Sequence, residues 1–301
     1  MKKLIFPLLF CLLFCGCRGL SSPKSDKLKI VATLFPQYDF ARTICGEKAE
    51  IYMLLPPGSE SHSYEPTPKD LARIAEADLF LYTGSVMEPW AHKLSENALG
   101  MCVDVSRGVP LLSGDHIHET HSETDALETT DPHIWTNPQN AKIMVDNILK
   151  AVSEKDPANA PFYAENAKKF KEQLDTLDKA FEDAVRGGKR KHIVFGGHFA
   201  MRYFTERYGL RYDSAYDACS GEAEPSPSVM IQLIEKMKKD NIPVIYYEEL
   251  STPRTASLIA EETGAKMLLL HSCHNIGKGE ENETYLSLMY KNLENLKIGL
   301  N

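Results

Sequence analysis

The 301-residue sequence has no apolar run long enough to cross a bilayer. Its longest, Leu4 to Cys15 (LIFPLLFCLLFC), has 12 residues, and a helix spanning ~30 Å of hydrocarbon needs about 20. There is no extended basic stretch either. Arg186 to Lys191 (RGGKRK) is the one basic cluster in a chain of net charge −8, which argues against nucleic acid as a partner. No His-Glu-x-x-His pair occurs, so the zinc-hydrolase pattern with two ligands on one helix face is absent. No short repeat or aromatic stripe supports an adhesin. Cysteine is sparse: of seven, Cys11, Cys15 and Cys17 lie at the start, leaving Cys45, Cys102, Cys219 and Cys273. What is present, 43% hydrophobic and 25% charged residues, suits one large or two medium globular domains.

The start reads as an export signal rather than as part of the fold. A basic Met1-Lys2-Lys3 precedes the short apolar run. The run ends Phe14-Cys15-Gly16-Cys17, which resembles a bacterial lipoprotein box, with cleavage before Cys17 and lipid on its thiol. Residues 1–16 are then a signal peptide. Residues 17–27, polar and rich in Ser, Lys and Pro, are a lipid-anchored tether. Loss of Lys2 and Lys3 makes the remainder two charges more acidic. Export places the remaining cysteines in an oxidising compartment, where disulfides are allowed.

Beyond residue 27, short β-branched and apolar runs alternate with helical patterns. Strands are expected at Leu28–Thr33, Ala49–Leu55, Asp78–Tyr82 and Met101–Val105, and again at His192–Phe195, Ile242–Tyr247 and Lys266–Leu270. Helices fall between them, several opened by proline at the first turn, as at Pro68 and Pro227. This rhythm predicts βαβ units and parallel sheets. Pro161 to Val185 carries Phe162, Phe170, Leu174, Leu177 and Phe181 near helical spacing and reads as a long spine. The expected fold is α/β: an N-terminal lobe at 28–155, a connecting helix at 156–188 and a C-terminal lobe at 189–301.

Ligands of open α/β sheets bind at loops beyond the carboxyl ends of strands. Four such loops each offer a histidine: His62 in PPGSESHSYEP, His133 in DPHIW, His198 in GGHF and His274 in HSCHN. One histidine after a strand is unremarkable. Four in matching positions suggest a metal site, and three or four imidazoles suit tetrahedral zinc. A catalytic zinc would need an open position and a neighbouring base, and although Glu60, Glu65, Glu248 and Glu249 could serve, no spacing demands it.

The whole chain beyond the signal peptide resembles the metal-binding lipoproteins of bacterial zinc and manganese ABC transporters. The resemblance rests on LLPPGSESHSYEPTP (54–68), DPHIWTNP (131–138), GHFAMRYFTERYGL (197–210), Glu224-Pro225-Ser226 and the terminal helix. It implies two α/β lobes around a rigid helix with metal in the cleft. It also implies that His62, His133 and His198 are ligands, with histidine at the third position resembling the zinc-type members. The last loop departs from the usual Asp or Glu. His274 fits the fourth position best, with Cys273 and His271 as alternatives. A Cys219–Cys273 disulfide is expected, which would leave His274 as the ligand. Cys45 and Cys102 are expected as buried small residues, with a first-lobe disulfide as the alternative.

Trp135, Tyr64 and Phe199 are expected to pack around the site, and His92 and His192 to be structural. The implied function is capture of Zn2+ for an ABC permease and its ATPase, by a monomer held at the cell envelope through its lipid, in the periplasm or on the outer face of the cytoplasmic membrane. Manganese or iron in the same site, a zinc hydrolase and an adhesin are the alternatives. His116, His118 and His121 resemble the His-rich loop of zinc-type members, where they would bind metal loosely because ordering a flexible loop costs entropy. A variant lacking these three histidines should lose weak additional zinc and keep the tight site, as read by zinc titration.

Overall fold

The computed structural model describes residues 27–61, 64–95, 101–112, 130–216, 225–250 and 253–301. Two four-stranded parallel sheets organise it. The first is ordered β2-β1-β3-β4, from β1 (Leu28–Ala32), β2 (Ala49–Met53), β3 (Leu79–Tyr82) and β4 (Met101–Asp104). The second is ordered β6-β5-β7-β8, from β5 (His192–Phe195), β6 (Arg211–Ser214), β7 (Val244–Tyr247) and β8 (Lys266–Leu269). Both sheets are wound in the same order although their sequences show no repeat. In each, the chain leaves the first strand toward one edge and returns to the other side of it. That reversal opens a crevice at the strands' carboxyl ends.

The central strands are mostly apolar and buried. Leu28, Ile30, Val31 and Ala32 are all buried, as a parallel sheet covered on both faces requires. β6 was not anticipated. Its sequence, RYDS, is polar and its outer residues are exposed, because it is an edge strand with little core to face.

α1 (Phe35–Cys45) follows β1, and α2 (Pro68–Ala75), α3 (Gly84–Met87) and α4 (Pro89–Ser95) complete the first lobe's crossovers. α5 (Pro138–Lys155) leads into α6 (Ala160–Gly187), a 28-residue helix ~42 Å long at 1.5 Å per residue. α7 (Arg202–Tyr208), α8 (Pro227–Asp240), α9 (Arg254–Thr263) and α10 (Tyr285–Leu300) belong to the second lobe. Among the described residues no helix is long and apolar enough to cross a membrane.

α6 buries Tyr163, Ala167, Phe170, Leu174, Leu177, Phe181 and Val185, a stripe repeating every three or four residues. Phe162, expected in this stripe, is instead 41% exposed, and Tyr163, one position around the helix, takes its place. The stripe belongs to one core that runs from Leu28 to Leu300 through both lobes. Phe40 of α1 packs on Phe170 of α6 and on Tyr285 of α10, at 5.4 and 5.1 Å between ring centroids. Phe181 meets Phe204 edge-on at 4.8 Å. The second end of α6 is pinned by Asp178, which accepts from the Arg207 guanidinium (2.5 and 3.0 Å), the Tyr208 hydroxyl (2.8 Å) and the Gln139 amide (2.8 Å).

Glu88, between α3 and α4, is buried at the carboxyl end of the first sheet and accepts the Thr83 N–H at 2.6 Å. Burial pushes its carboxyl up to about 7, opposed by hydrogen bonds from Thr33 and Thr83 and assisted by nearby Asp104. An acid with a raised folded pKa binds more protons folded than unfolded, so its contribution to stability falls as pH rises between the unfolded and folded values. Glu88→Gln should therefore flatten the loss of stability between about pH 4.5 and about 7, measured by thermal melts across that range.

Candidate metal centre

Three of the four strand-end histidines fall within the described residues, and the fold draws them together from both lobes. His133 follows the first sheet and immediately precedes a single 3-10 turn, Ile134–Thr136. His198 follows β5, and His274 follows β8. The His133 ring lies 5.4 Å from that of His198 and 6.4 Å from that of His274, centroid to centroid. His133 and His274 are fully buried. His62 lies outside the described residues, as do His116, His118, His121, Cys17 and Cys219. Among the described residues no three His, Cys, Asp or Glu side chains already stand in coordinating geometry. The imidazoles are neighbours, not a closed shell.

Asp131 determines how His133 is presented. Its Oδ1 accepts the His133 backbone N–H at 2.8 Å and lies 3.0 Å from Nδ1. An ionised carboxylate only accepts, so Nδ1 carries the proton and Nε2 keeps its lone pair. Burial alone would raise the Asp131 carboxyl, but its contacts with His133 outweigh it and hold it below the usual range. Behind this pair, Tyr203 donates its hydroxyl to the Asp131 carbonyl at 2.9 Å.

The last loop is held from several sides. Trp135, packed 5.6 Å from the His133 ring, donates Nε1–H to the Ser272 carbonyl at 2.8 Å. The Phe35 N–H reaches the His274 carbonyl at 3.2 Å. Asn275 donates its side-chain amide to the carbonyls of Pro56 and Ser59, both at 2.8 Å, and Gly58 N–H bonds the Ile276 carbonyl at 2.7 Å. The loop preceding His62 is thus strapped to the loop bearing His274. Between His271 and His274 the backbone passes through Cys273 at φ +62°, an uncommon conformation for a non-glycine residue.

This loop separates its candidate ligands. His271 accepts the Cys273 N–H on Nδ1 at 2.9 Å and directs Nε2 at Glu280, 3.5 Å away, so it is spent inside the loop. Cys273 is a free, fully buried thiol. Burial raises its pKa, and its Sγ lies 3.7 Å from the His271 carbonyl. Cys219, the expected disulfide partner of Cys273, lies outside the described residues, and among the described residues the Cys273 thiol is bonded to no cysteine. Cys45 is buried and free as expected, and Cys102 is free and half-buried. His274 presents Nε2 4.0 Å from Glu60 Oε1, while burial holds its ring below the ordinary imidazole value.

Other assignments divide. Trp135 packs on the site as expected. Tyr64 instead packs on Trp90 at 5.9 Å and donates to Asp70 at 3.0 Å. Phe199 stacks on Tyr212 at 3.9 Å behind the site. His192 pairs with Asp213 at 2.7 Å and His92 lies 3.5 Å from the Tyr82 hydroxyl, both structural roles. Asp131, Ser272 and Asn275 were not anticipated as supports. Asp131 stands two residues before His133, the signal that could have found it.

The family model for "zinc-uptake complex component A periplasmic" matches residues 30–299 of this chain. The chain belongs to that family. It is 33% identical over 291 residues to the high-affinity zinc uptake system protein ZnuA of Bacillus subtilis, covering 94% of this chain and 91% of that protein. It is 33% identical over 309 residues to the zinc-binding lipoprotein AdcA of Streptococcus pneumoniae, covering 99% of this chain and 61% of the longer relative. The Zn(II)-bound ZnuA-like domain of AdcA from Streptococcus pneumoniae superposes with a TM-score of 0.76 at 31% identity, over 91% of this chain and 99% of that one. The two-lobed α/β architecture expected from the sequence is the architecture of this zinc-uptake family.

Gly197, just before His198, has no room for a side chain: a Cβ there would lie 1.8 Å from Glu248 Oε2. Gly197→Ala should displace Glu248 or the His198 loop and weaken zinc binding at least tenfold. A titration matching wild type would contradict this.

Proposed function

We propose that the chain captures Zn2+ in the cleft between its lobes and delivers it to an ABC-type importer. One observation carries the reading: three imidazoles from three separate loops, on both lobes, lie within 5.4 and 6.4 Å of one another through His133. His62 completes the set as the fourth ligand, and its neighbours Pro56 to Ser59 are already tied to the loop of His274. Four neutral imidazoles suit zinc better than manganese, which prefers oxygen donors. The similarity to zinc-uptake and zinc-binding proteins supports the same cargo. His274 Nε2 and the Glu60 carboxylate face each other across 4.0 Å, and a cation between two acceptors would relieve their repulsion.

A closed four-ligand shell leaves no position for an attacking water, so the site serves binding and release, not catalysis. In this reading residues 1–16 direct export and Cys17 carries the lipid. Residues 17–27 tether the two lobes, 28–155 and 189–301, and their connecting helix, 156–188, as a monomer at the cell envelope. The partners there are a permease and its ATPase. His116, His118 and His121 add loose capture ahead of the cleft.

Metal content and zinc titration of the purified protein test this. Wild type should hold one tight zinc, and His133→Ala, His198→Ala and His274→Ala should each lose it. His274→Ala binding as tightly as wild type would move the fourth position to another group. Because the ligands must be neutral, affinity should fall as pH drops through ~6.5, the free imidazole value. Burial delays protonation of His274 to lower pH than that. Unchanged affinity between neutral and mildly acid buffer would count against histidine ligation.

A further inference from the structure

We propose that Ser272 and Glu249 are positioning residues that hold His274 in the tautomer presenting Nε2 to the metal, an inference that rests on His274 as a ligand. Glu249 follows β7 and its side chain is 3% exposed. Its Oε2 accepts the Ser272 N–H at 2.8 Å and its Oε1 accepts the Ser272 hydroxyl at 2.7 Å. An ionised carboxylate has no proton to give, so the Ser272 proton points at Glu249. The same Oγ is hydrogen-bonded to His274 Nδ1. With its proton committed, Oγ can only accept there, and Nδ1 must be the protonated nitrogen. A neutral imidazole carries one ring proton, so Nε2 keeps its lone pair.

The relay runs Nδ1–H to Oγ, then Oγ–H to the carboxylate. It is the serine-bridged counterpart of the direct contact between Asp131 and His133. The neighbouring His271 is engaged differently, with its two ring nitrogens 3.4 Å from Glu249 and 3.5 Å from Glu280. Of the two histidines, His274 is the one prepared for ligation. Such outer supports fix ring orientation and ligand basicity in metal sites generally. The relay also places a second buried carboxylate behind the imidazoles, so Asp131 and Glu249 together supply two negative charges opposite a divalent cation.

Glu249→Gln is the decisive variant. The carboxylate accepts from both the Ser272 N–H and the Ser272 hydroxyl. An amide has one oxygen, so with that oxygen on the N–H its NH2 must face Oγ. Oγ then accepts from the amide and turns its proton to Nδ1, which drives the ring proton to Nε2. Nitrogen-15 spectra of the metal-free, histidine-labelled protein read the tautomer, with the His274 signal assigned by its loss in His274→Ala. The expected result is a switch from Nδ1–H to Nε2–H in Glu249→Gln, with zinc affinity lower by about 10–100-fold. Ser272→Ala should lose affinity by a similar factor, and Ser272→Thr, which keeps the hydroxyl, should recover it.

Glu249→Gln and Ser272→Ala proteins that keep the Nδ1–H tautomer and bind zinc as wild type would overturn the proposal. So would a lower melting temperature with tautomer and affinity unchanged, which is what a purely structural role produces. If Ser272→Ala does not fold, the near-isosteric Glu249→Gln and the hydroxyl-retaining Ser272→Thr still decide. Wild-type zinc affinity in His274→Ala would instead overturn His274 as a ligand, an outcome separate from the tautomer spectra.

Discussion

The apolar stripe of α6 is the constraint on which the rest of the molecule depends. Each lobe alone is a small sheet with helices on its faces. Seven buried side chains along α6 join the two into one core, aromatic contacts from α1 and α7 close on them, and Tyr285 of α10 packs on Phe40 of α1. Buried aromatic pairs contribute about 0.5–1.5 kcal/mol each beyond the area they bury. Several at one spine make relative movement of the lobes costly. The loops at the strand ends therefore meet at a defined separation, which a binding site assembled from both lobes requires.

Inside that frame the site is an electrostatic problem. Imidazoles buried beside one another must have their second nitrogens satisfied, because an unpartnered buried polar group costs about 1–3 kcal/mol. The chain meets this with carboxylates that are themselves buried: Asp131 directly behind His133, and Glu249 through Ser272 behind His274. Both stay below the usual carboxylate range against the burial that would raise them, Asp131 through its contacts with His133 and Glu249 through the neighbouring His271 and the two hydrogen bonds from Ser272. The cross-lobe bonds of Trp135, Phe35 and Asn275 then hold the last loop against the first lobe, so the supports of one lobe position the ligands of the other.

Much of the fold was legible because its signals are local. β1 and β5 are short, mostly apolar runs, and prolines at the first turns of α2 and α8 mark helix starts that the structure bears out. β6 escaped because an edge strand needs no apolar alternation. Phe162 was misplaced because a residue beside a helical stripe differs from one inside it by a rotation of ~100°, which Tyr163 at the next position obscures. The candidate ligands were legible as a recurrence, histidine after strand. Their supports were not, since Ser272 and Asn275 are ordinary residues until the fold aims them.

The sequence by itself determined the two α/β lobes, the long helix between them, the family and the histidines that lie at strand ends, since each is written in short-range pattern or motif. Only the tertiary structure decided which member of His271-Ser272-Cys273-His274 faces the other imidazoles. Four adjacent residues share one local sequence signal. What separates them is the left-handed turn at Cys273, the enclosure of its thiol and the different partners of the two rings, and these arise only when both lobes close on the loop.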